Sequence, residues 1–296
     1  MSMEQRIPQP ANAQAGPSDQ PAQPPGSAFL RIDRVSLDFP IYHGGARSLK
    51  KTMFSAASGR VGPAKPLPGA TGSTGRIVVQ ALRDISLSLS SGDRLGIVGR
   101  NGAGKSSLLR VMAGIYEPLV GRVHVGGTLN ALLDANLGMN LDLTGRENIR
   151  LRGKFVGFSK IATLQLEEDV QDFAALGDFL DLPVRVYSTG MVIRLGFGLA
   201  TAIAPQVLLM DEWFMAGDSA FQEKARRRLE SVVRGAEILV LTSHQVPVLK
   251  TWCTRILWLE SGVVRADGPP DEVLGQYLEA SGVPRAEISE SSSSAA

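Results

Sequence analysis

The sequence predicts an α/β fold with a mixed core sheet, an antiparallel β flank and a helical subdomain. Three observations carry this expectation. From residue 77 onward, apolar strand-length runs alternate with helical patterns; a glycine-rich loop lies between a buried strand and a helix start; and a second apolar run closes on two carboxylates, Asp211 and Glu212. With 296 residues, 44% hydrophobic and 20% charged, the chain can bury one large α/β domain or a domain with a small insertion. No internal repeat is visible, so a single unit is expected over residues 28–284.

The ends read as tails. Residues 1–27 are rich in Pro, Gln and Ala, and 285–296 (ending ESSSSAA) are polar and repetitive. Neither stretch buries enough apolar surface to offset its ordering entropy. Residues 29–39 alternate like a strand, 47–57 (RSLKKTMFSAA) have a short amphipathic helical pattern, and about 58–76 form a Gly/Pro-rich insertion. The β-rich flank is expected to extend to residue 93. Residues 95–98 read as a buried strand and 107–113 as a helix; 143–182 are mostly helical, within a helical subdomain placed at about 136–190. A helix at 192–204, strands at 207–210, 237–241, 255–259 and 263–266, and a helix at 271–279 complete the pattern.

The most specific local signal is GRNGAGKS, residues 99–106, which satisfies G-x-x-x-x-G-K-[ST] through Gly99, Gly104, Lys105 and Ser106. The backbone N–H groups of Asn101, Gly102, Ala103, Gly104 and Lys105 precede a helix N-terminus, with Ser107 opening the helix, so they are placed to chelate phosphate oxygens. Lys105 is expected along the β and γ phosphates of ATP, and the Ser106 hydroxyl on Mg²⁺. This is a P-loop NTPase signature. Asp211 stands where a strand of an open α/β sheet delivers a ligand group and is expected in the Mg²⁺ shell, with Glu212 orienting or deprotonating the attacking water.

A second anion-type site is YSTGM, residues 187–191. Ser188 is a suitable N-cap, Thr189 follows it, Gly190 lets a phosphate approach the backbone, and the helix dipole favours an anion there. If the residues between the two helix N-termini form their own subdomain, both cannot reach one γ-phosphate within a single compact unit. The expected resolution is a head-to-tail dimer, with each ATP sandwiched between two copies of this chain.

Composition narrows the partners. Net charge is +2, and the densest basic run, KARRR at 224–228, reads as a solvated helix face, so no nucleic-acid partner is expected. The single cysteine, Cys253, fits a small core residue in a reducing compartment. The most apolar stretch, 195–210, is cut by Pro205 and Gln206, and the N-terminus lacks a basic-then-apolar signal, so the chain is expected to stay in the cytoplasm.

The assembled set resembles an ABC transporter ATP-binding subunit, with YSTGM where that family's LSGGQ-type signature falls. It departs from the consensus at Tyr187, Thr189 and Met191. YSTGMVIRLGFGLATAIAPQVLLMDE, AGDSAFQEKARRRL and LTGRENI are similar to the branch that exports lipid-linked polysaccharides such as O-antigen, capsule or teichoic acid, and the similarity spans about residues 29–278. The resemblance implies an ABC cassette that hydrolyses ATP to power export of a lipid-linked glycan through a separate membrane-spanning permease. It would sit peripherally at the cytoplasmic face of the inner membrane. It also implies that residues 216–218, ending in Asp218, cross the dimer interface, and that His244, just after the strand at 237–241, contacts the γ-phosphate. The adenine-stacking aromatic would be Phe39, with Tyr42 as the competitor. The family's loop glutamine is absent from 128–144, where Asn130, Asn136 and Asn140 are the nearest amides, and its role stays unassigned. Residues 47–57 are a gate element near the glycolipid entrance or a surface helix. Some relatives continue into a glycan-reading β-sandwich of about 100 residues or more; too few residues follow 279 for one, so glycan selectivity is expected in the permease or the lipid carrier. Two other classes compete: a soluble ABC protein of translation or DNA maintenance, which usually carries two cassettes or long coiled-coil insertions, and a P-loop kinase, which leaves YSTGM and His244 unexplained.

Overall fold

The structure, a computed structural model, describes residues 27–41, 61–63, 77–133, 139–211 and 219–281. It contains two sheets and a helical layer. The strands are β1 (Phe29–Ile41), β2 (Val61–Pro63), β3 (Ile77–Ser90), β4 (Arg94–Val98), β5 (Val120–Gly126), β6 (Leu129–Leu132), β7 (Val207–Asp211), β8 (Ile238–Thr242), β9 (Arg255–Glu260) and β10 (Val263–Gly268). The six-stranded sheet runs β10-β9-β4-β8-β7-β6, parallel except for β10, which returns antiparallel to β9, so the sheet is mixed. Every residue of β8 is buried, as are all of β4 after Arg94 and all of β7 before Asp211. Burial on both faces explains why these segments are unbroken apolar runs rather than alternating ones.

The second sheet is antiparallel, in the order β2-β3-β1-β5. Its inner face, including Leu30, Ile32, Val35, Leu82 and Ile85, packs with the helix α1 (Lys105–Met112) and with Ile97 and Val240 of the core sheet in one apolar cluster. Burying each such side chain contributes about 1.5–3 kcal/mol. Two strands here escape a reading of periodicity. Six of the seven β5 residues lie outside the core or at the solvent face, with Gly121 and Gly126 interrupting the pattern, and β2 arises inside the Gly/Pro-rich stretch by pairing Val61 opposite Val79. The flank therefore gains a strand beyond residue 93.

The helical layer comprises α2 (Gly145–Phe155), α3 (Lys160–Ala174), two 3₁₀ turns (Gly177–Asp181 and Val184–Val186) and α4 (Thr189–Thr201). Its starts are written locally. Thr144 and Glu147 form a reciprocal capping box on α2, and the Ser159 and Ser188 hydroxyls accept from backbone N–H groups at the starts of α3 and α4. Ile149, Leu166, Val170, Leu180 and Leu195 form its core. Arg146 pairs with Glu167 and Asp181, and Arg150 with Glu167. Burial of Glu167 favours its neutral form, yet the two guanidiniums hold its carboxyl below the usual range.

The helix α5 (Ser219–Gly235) joins β7 to β8, α6 (Val246–Trp252) joins β8 to β9, and α7 (Pro270–Ala280) follows β10. The basic run on α5 is only partly a solvated face. Arg226 and Arg227 pair with Glu223, and Arg226 also with Glu230. Lys224 donates to the Asp172 and Phe173 carbonyls, and Arg228 pairs with Asp169, so the run also ties α5 to α3. Cys253 is 5% exposed. Among the described residues no helix is long and apolar enough to cross a membrane. The tails, the 47–57 segment, Tyr42, Asn136, Glu212 and residues 216–218 with Asp218 lie outside the described residues.

Candidate functional site

The C-terminal ends of β4, β7 and β8 converge beside the flank, the position at which open α/β sheets bind ligands. A cavity of about 630 Å³ opens there. Its floor is the glycine-rich loop, with Asn101, Gly102, Ala103, Gly104, Lys105, Ser106 and Ser107 all lining it. Phe39, Val79 and Ala81 of the flank, Leu133, Asp211 and His244 form the walls.

Glycine is required at two points of this loop. Gly99 has φ +153°, and a Cβ there would stand 2.2 Å from the Leu259 carbonyl oxygen. Gly104 caps α1 with φ +113°, and a Cβ there would stand 2.8 Å from the Ala81 carbonyl oxygen. The loop is thus pressed between β9 and β3, and it turns on itself through Ala103 N–H donating to Arg100 O at 2.9 Å. Lys105 is the first residue of α1 and is 7% exposed. Its ammonium donates to Gly99 O at 2.7 Å and Arg100 O at 3.5 Å. These carbonyls hold the cation at the cavity floor, where the loop N–H groups and the helix dipole also favour an anion.

Asp211 ends β7 directly opposite Thr242 of β8. The Thr242 hydroxyl donates to Asp211 Oδ1 at 2.6 Å, and Thr242 is fully buried. Sequence reasoning missed this threonine. The available signal was that VLLMD and ILVLT both end in a polar residue, which matters only once the two strands are known to be neighbours in register. His244 follows β8, is exposed, and reaches the cavity from a turn shaped by Gln245 N–H donating to the Ser243 hydroxyl at 3.0 Å. Phe39 lines the cavity with its ring edge-on to Tyr116, 5.3 Å between centroids and 77° between planes.

Ser188, Thr189 and Gly190 do not line this cavity. Ser188 and Thr189 are exposed, Ser188 Oγ accepts from Met191 N–H at 3.3 Å, and a Cβ at Gly190 would meet only Ser188 Oγ, at 4.0 Å. Among the described residues, the second helix N-terminus therefore opens away from this cavity with no close neighbour at Gly190 beyond the Ser188 cap. Of the loop amides, Asn130 is spent on structure: its Nδ2 donates to Ala200 O at 2.5 Å and its Oδ1 accepts from Arg152 at 3.1 Å. Asn140 Oδ1 accepts from Asp142 N–H at 2.9 Å, and neither asparagine lines the cavity.

The donor set fits a nucleoside triphosphate with a hard divalent cation. Loop amides and an ammonium line the same cavity as the Ser106 hydroxyl and the Asp211 carboxylate, oxygen groups of the kind a hard divalent cation takes alongside water and phosphate.

Residues 82–215 match the family model described as ABC transporter. The chain is 41% identical over 237 residues to the O-antigen export system ATP-binding protein RfbE of Yersinia enterocolitica, covering 79% of this chain and 95% of that protein. It is 36% identical over 197 residues to the teichoic acids export ATP-binding protein TagH of Lactococcus lactis, covering 67% of this chain but only 42% of the relative's length. A solved dimeric ATP-binding cassette, in a post-hydrolysis state with ADP and Pi, superposes with a TM-score of 0.57 at 18% identity over 81% of this chain and 98% of that one. With a relative this similar matched over nearly its whole length, the chain belongs to the ATP-binding subunits of ABC transporters, in the polysaccharide-exporter branch.

Proposed function

We propose that this chain is the ATP-hydrolysing subunit of an exporter that moves a lipid-linked polysaccharide across the inner membrane through a separate membrane-spanning permease. The two relatives named above act, by their names, in O-antigen and teichoic acid export. The observation that carries the mechanism is the separation of the two helix N-termini: Lys105, Asp211 and His244 share one cavity, and Ser188 to Gly190 lie outside it. A second copy, arranged head to tail, would bring its Ser188, Thr189 and Gly190 to the phosphates bound by the first.

In this reading Phe39 stacks on the adenine, and the amides from Asn101 to Lys105, with Gly99, Ser106 and Ser107, hold the phosphates. Ser106 and Asp211 would hold Mg²⁺, which supplies charge neutralisation at the phosphates when bound. Lys105 stabilises charge on the transferred phosphoryl group, Glu212 orients or deprotonates the attacking water, His244 contacts the γ-phosphate, and Asp218 belongs to the loop facing the partner copy. The subunit reaches the cytoplasmic face of the bilayer through the permease and has no nucleic-acid partner.

The test is genetic and biochemical. Cells in which Lys105→Ala replaces the native chain are expected to lose surface glycan, to accumulate its lipid-linked form inside, and to recover with a wild-type copy. Normal surface glycan with ATPase-dead Lys105→Ala would refute the proposal.

A further inference from the structure

We propose that Tyr187 is a positioning residue for the phosphate-contacting end of α4, its hydroxyl latching the turn before Ser188 to the 3₁₀ turn at Phe179, packed against Gly145 at the start of α2. The inference rests on the composite-site reading above and names a residue that lies outside the nucleotide cavity.

Tyr187 is pinned at both ends. Its N–H donates to Val184 O at 3.0 Å, and its hydroxyl donates to Phe179 O at 2.6 Å. The side chain is drawn into the helical core, leaving the residue 9% exposed. Burial pushes the phenol above its usual pKa. The very next residue is the Ser188 cap of α4. Whatever fixes Tyr187 fixes the direction in which the Ser188 to Gly190 backbone faces a second copy.

The other half of the latch is Gly145. It is buried at the start of α2, and a Cβ there would stand 2.5 Å from the Tyr187 hydroxyl oxygen and 2.9 Å from Leu180 Cδ2. Its φ is not positive, so glycine is needed here for close approach and not for backbone conformation. The surrounding backbone is sewn together: Val184 N–H donates to Leu143 O and Arg185 N–H to Leu141 O, both at 2.9 Å. Arg146, adjacent to Gly145, closes the same junction through Asp181 at 2.8 Å. Segments 141–146 and 179–188 are therefore tied by backbone hydrogen bonds and an ion pair, and the tyrosine hydroxyl adds a side-chain bond within the same junction. A leucine of the family's common signature would fill the space and leave the Phe179 carbonyl without this donor.

Tyr187→Phe removes the hydroxyl and keeps the ring. A net hydrogen bond corresponds to a change of a few-fold to about tenfold in an equilibrium. For the purified full chain we expect kcat for ATP hydrolysis to fall by that factor at a temperature well below the melting midpoint. Affinity for a fluorescent ADP analogue should stay within about twofold, because the phosphate loop is untouched. Gly145→Ala should also lower kcat, and should cost less in the Tyr187→Phe background, where the hydroxyl it collides with is gone. Unchanged kcat in Tyr187→Phe, additive effects of the two substitutions, or a kcat loss matched by an equal loss of nucleotide affinity would each overturn the latch. Ser188→Arg separates the two levels. If Ser188→Arg leaves hydrolysis intact, the composite site fails; if it abolishes hydrolysis while Tyr187→Phe turns over normally, only the latch fails.

Discussion

Replacing Thr242 by valine isolates one atom of the site. Valine keeps the shape of threonine and substitutes a methyl for the hydroxyl that donates to Asp211 Oδ1 at 2.6 Å, at a position with no solvent exposure. No water reaches Thr242 to replace the lost donor. Hydrogen bonds to charged groups contribute about 1.5–3 kcal/mol, and each 1.4 kcal/mol is a factor of ten. Under the proposal that Asp211 holds Mg²⁺, a carboxylate freed from this donor samples orientations that do not ligate. The expected loss is therefore about 10- to 100-fold in Mg²⁺-supported turnover, the range usual for groups that orient a metal ligand. The assay is steady-state ATPase activity against Mg²⁺ concentration at saturating ATP, with thermal melting to show that the chain is folded. Thr242→Ser, which keeps the hydroxyl and removes one methyl worth about 0.8 kcal/mol of burial, should remain within a few-fold of wild type. A folded Thr242→Val with wild-type Mg²⁺ dependence would refute the link between β8 and the metal-binding role of Asp211.

Two further outcomes follow from side chains away from the cavity. Burial raises the Cys253 thiol to about 12, so a thiol reagent at pH 8 should leave the native chain unlabelled and modify it only after denaturation; rapid native labelling would contradict its packing. Hydrogen bonds from Arg226 and Arg227 hold Glu223 down to about 2, below its ordinary value of 4.5. A folded value below the unfolded one gives stability that is present above pH 4.5 and is lost as pH falls toward 2. Glu223→Gln should therefore flatten the acid limb of a pH–stability curve and leave pH 7 to 8 differences unchanged in slope; an unaltered acid limb would show that this exposed cluster contributes nothing.

The reach of the sequence follows the range of the interactions. GRNGAGKS needs only its own residues to make a loop leading into a helix, and the carboxylate of Asp211 needs only an apolar strand before it, so both were legible without a fold. The Ser188 cap acts within three residues and was equally local, whereas the Thr144 and Ser159 caps, of the same range, went unread in the sequence. Buried strands β4, β7 and β8 stood out because burial on both faces leaves continuous apolar runs. β5 did not, because most of its side chains remain outside the core and composition at such a strand is free to vary.

What required the tertiary structure are pairings between segments far apart in the chain. Thr242 serves Asp211 only because β7 and β8 lie in parallel register, and a one-residue slip would turn its side chain to the opposite face of the sheet. Asn130 was one of three amides near a missing loop glutamine whose role the sequence left unassigned, and only the fold shows Ala200 and Arg152, 70 and 22 residues away, bonded to its amide. Tyr187 stood out in the sequence only as a departure from the signature, and Gly145 not at all, until the hydroxyl was found 2.5 Å from where a Gly145 methyl would stand. The sequence by itself determined which chemical groups are present and the local backbone that displays them. Only the folded arrangement decided which groups share a cavity and which lie outside it, because those distances are fixed by sheet order and packing, and no local motif encodes either.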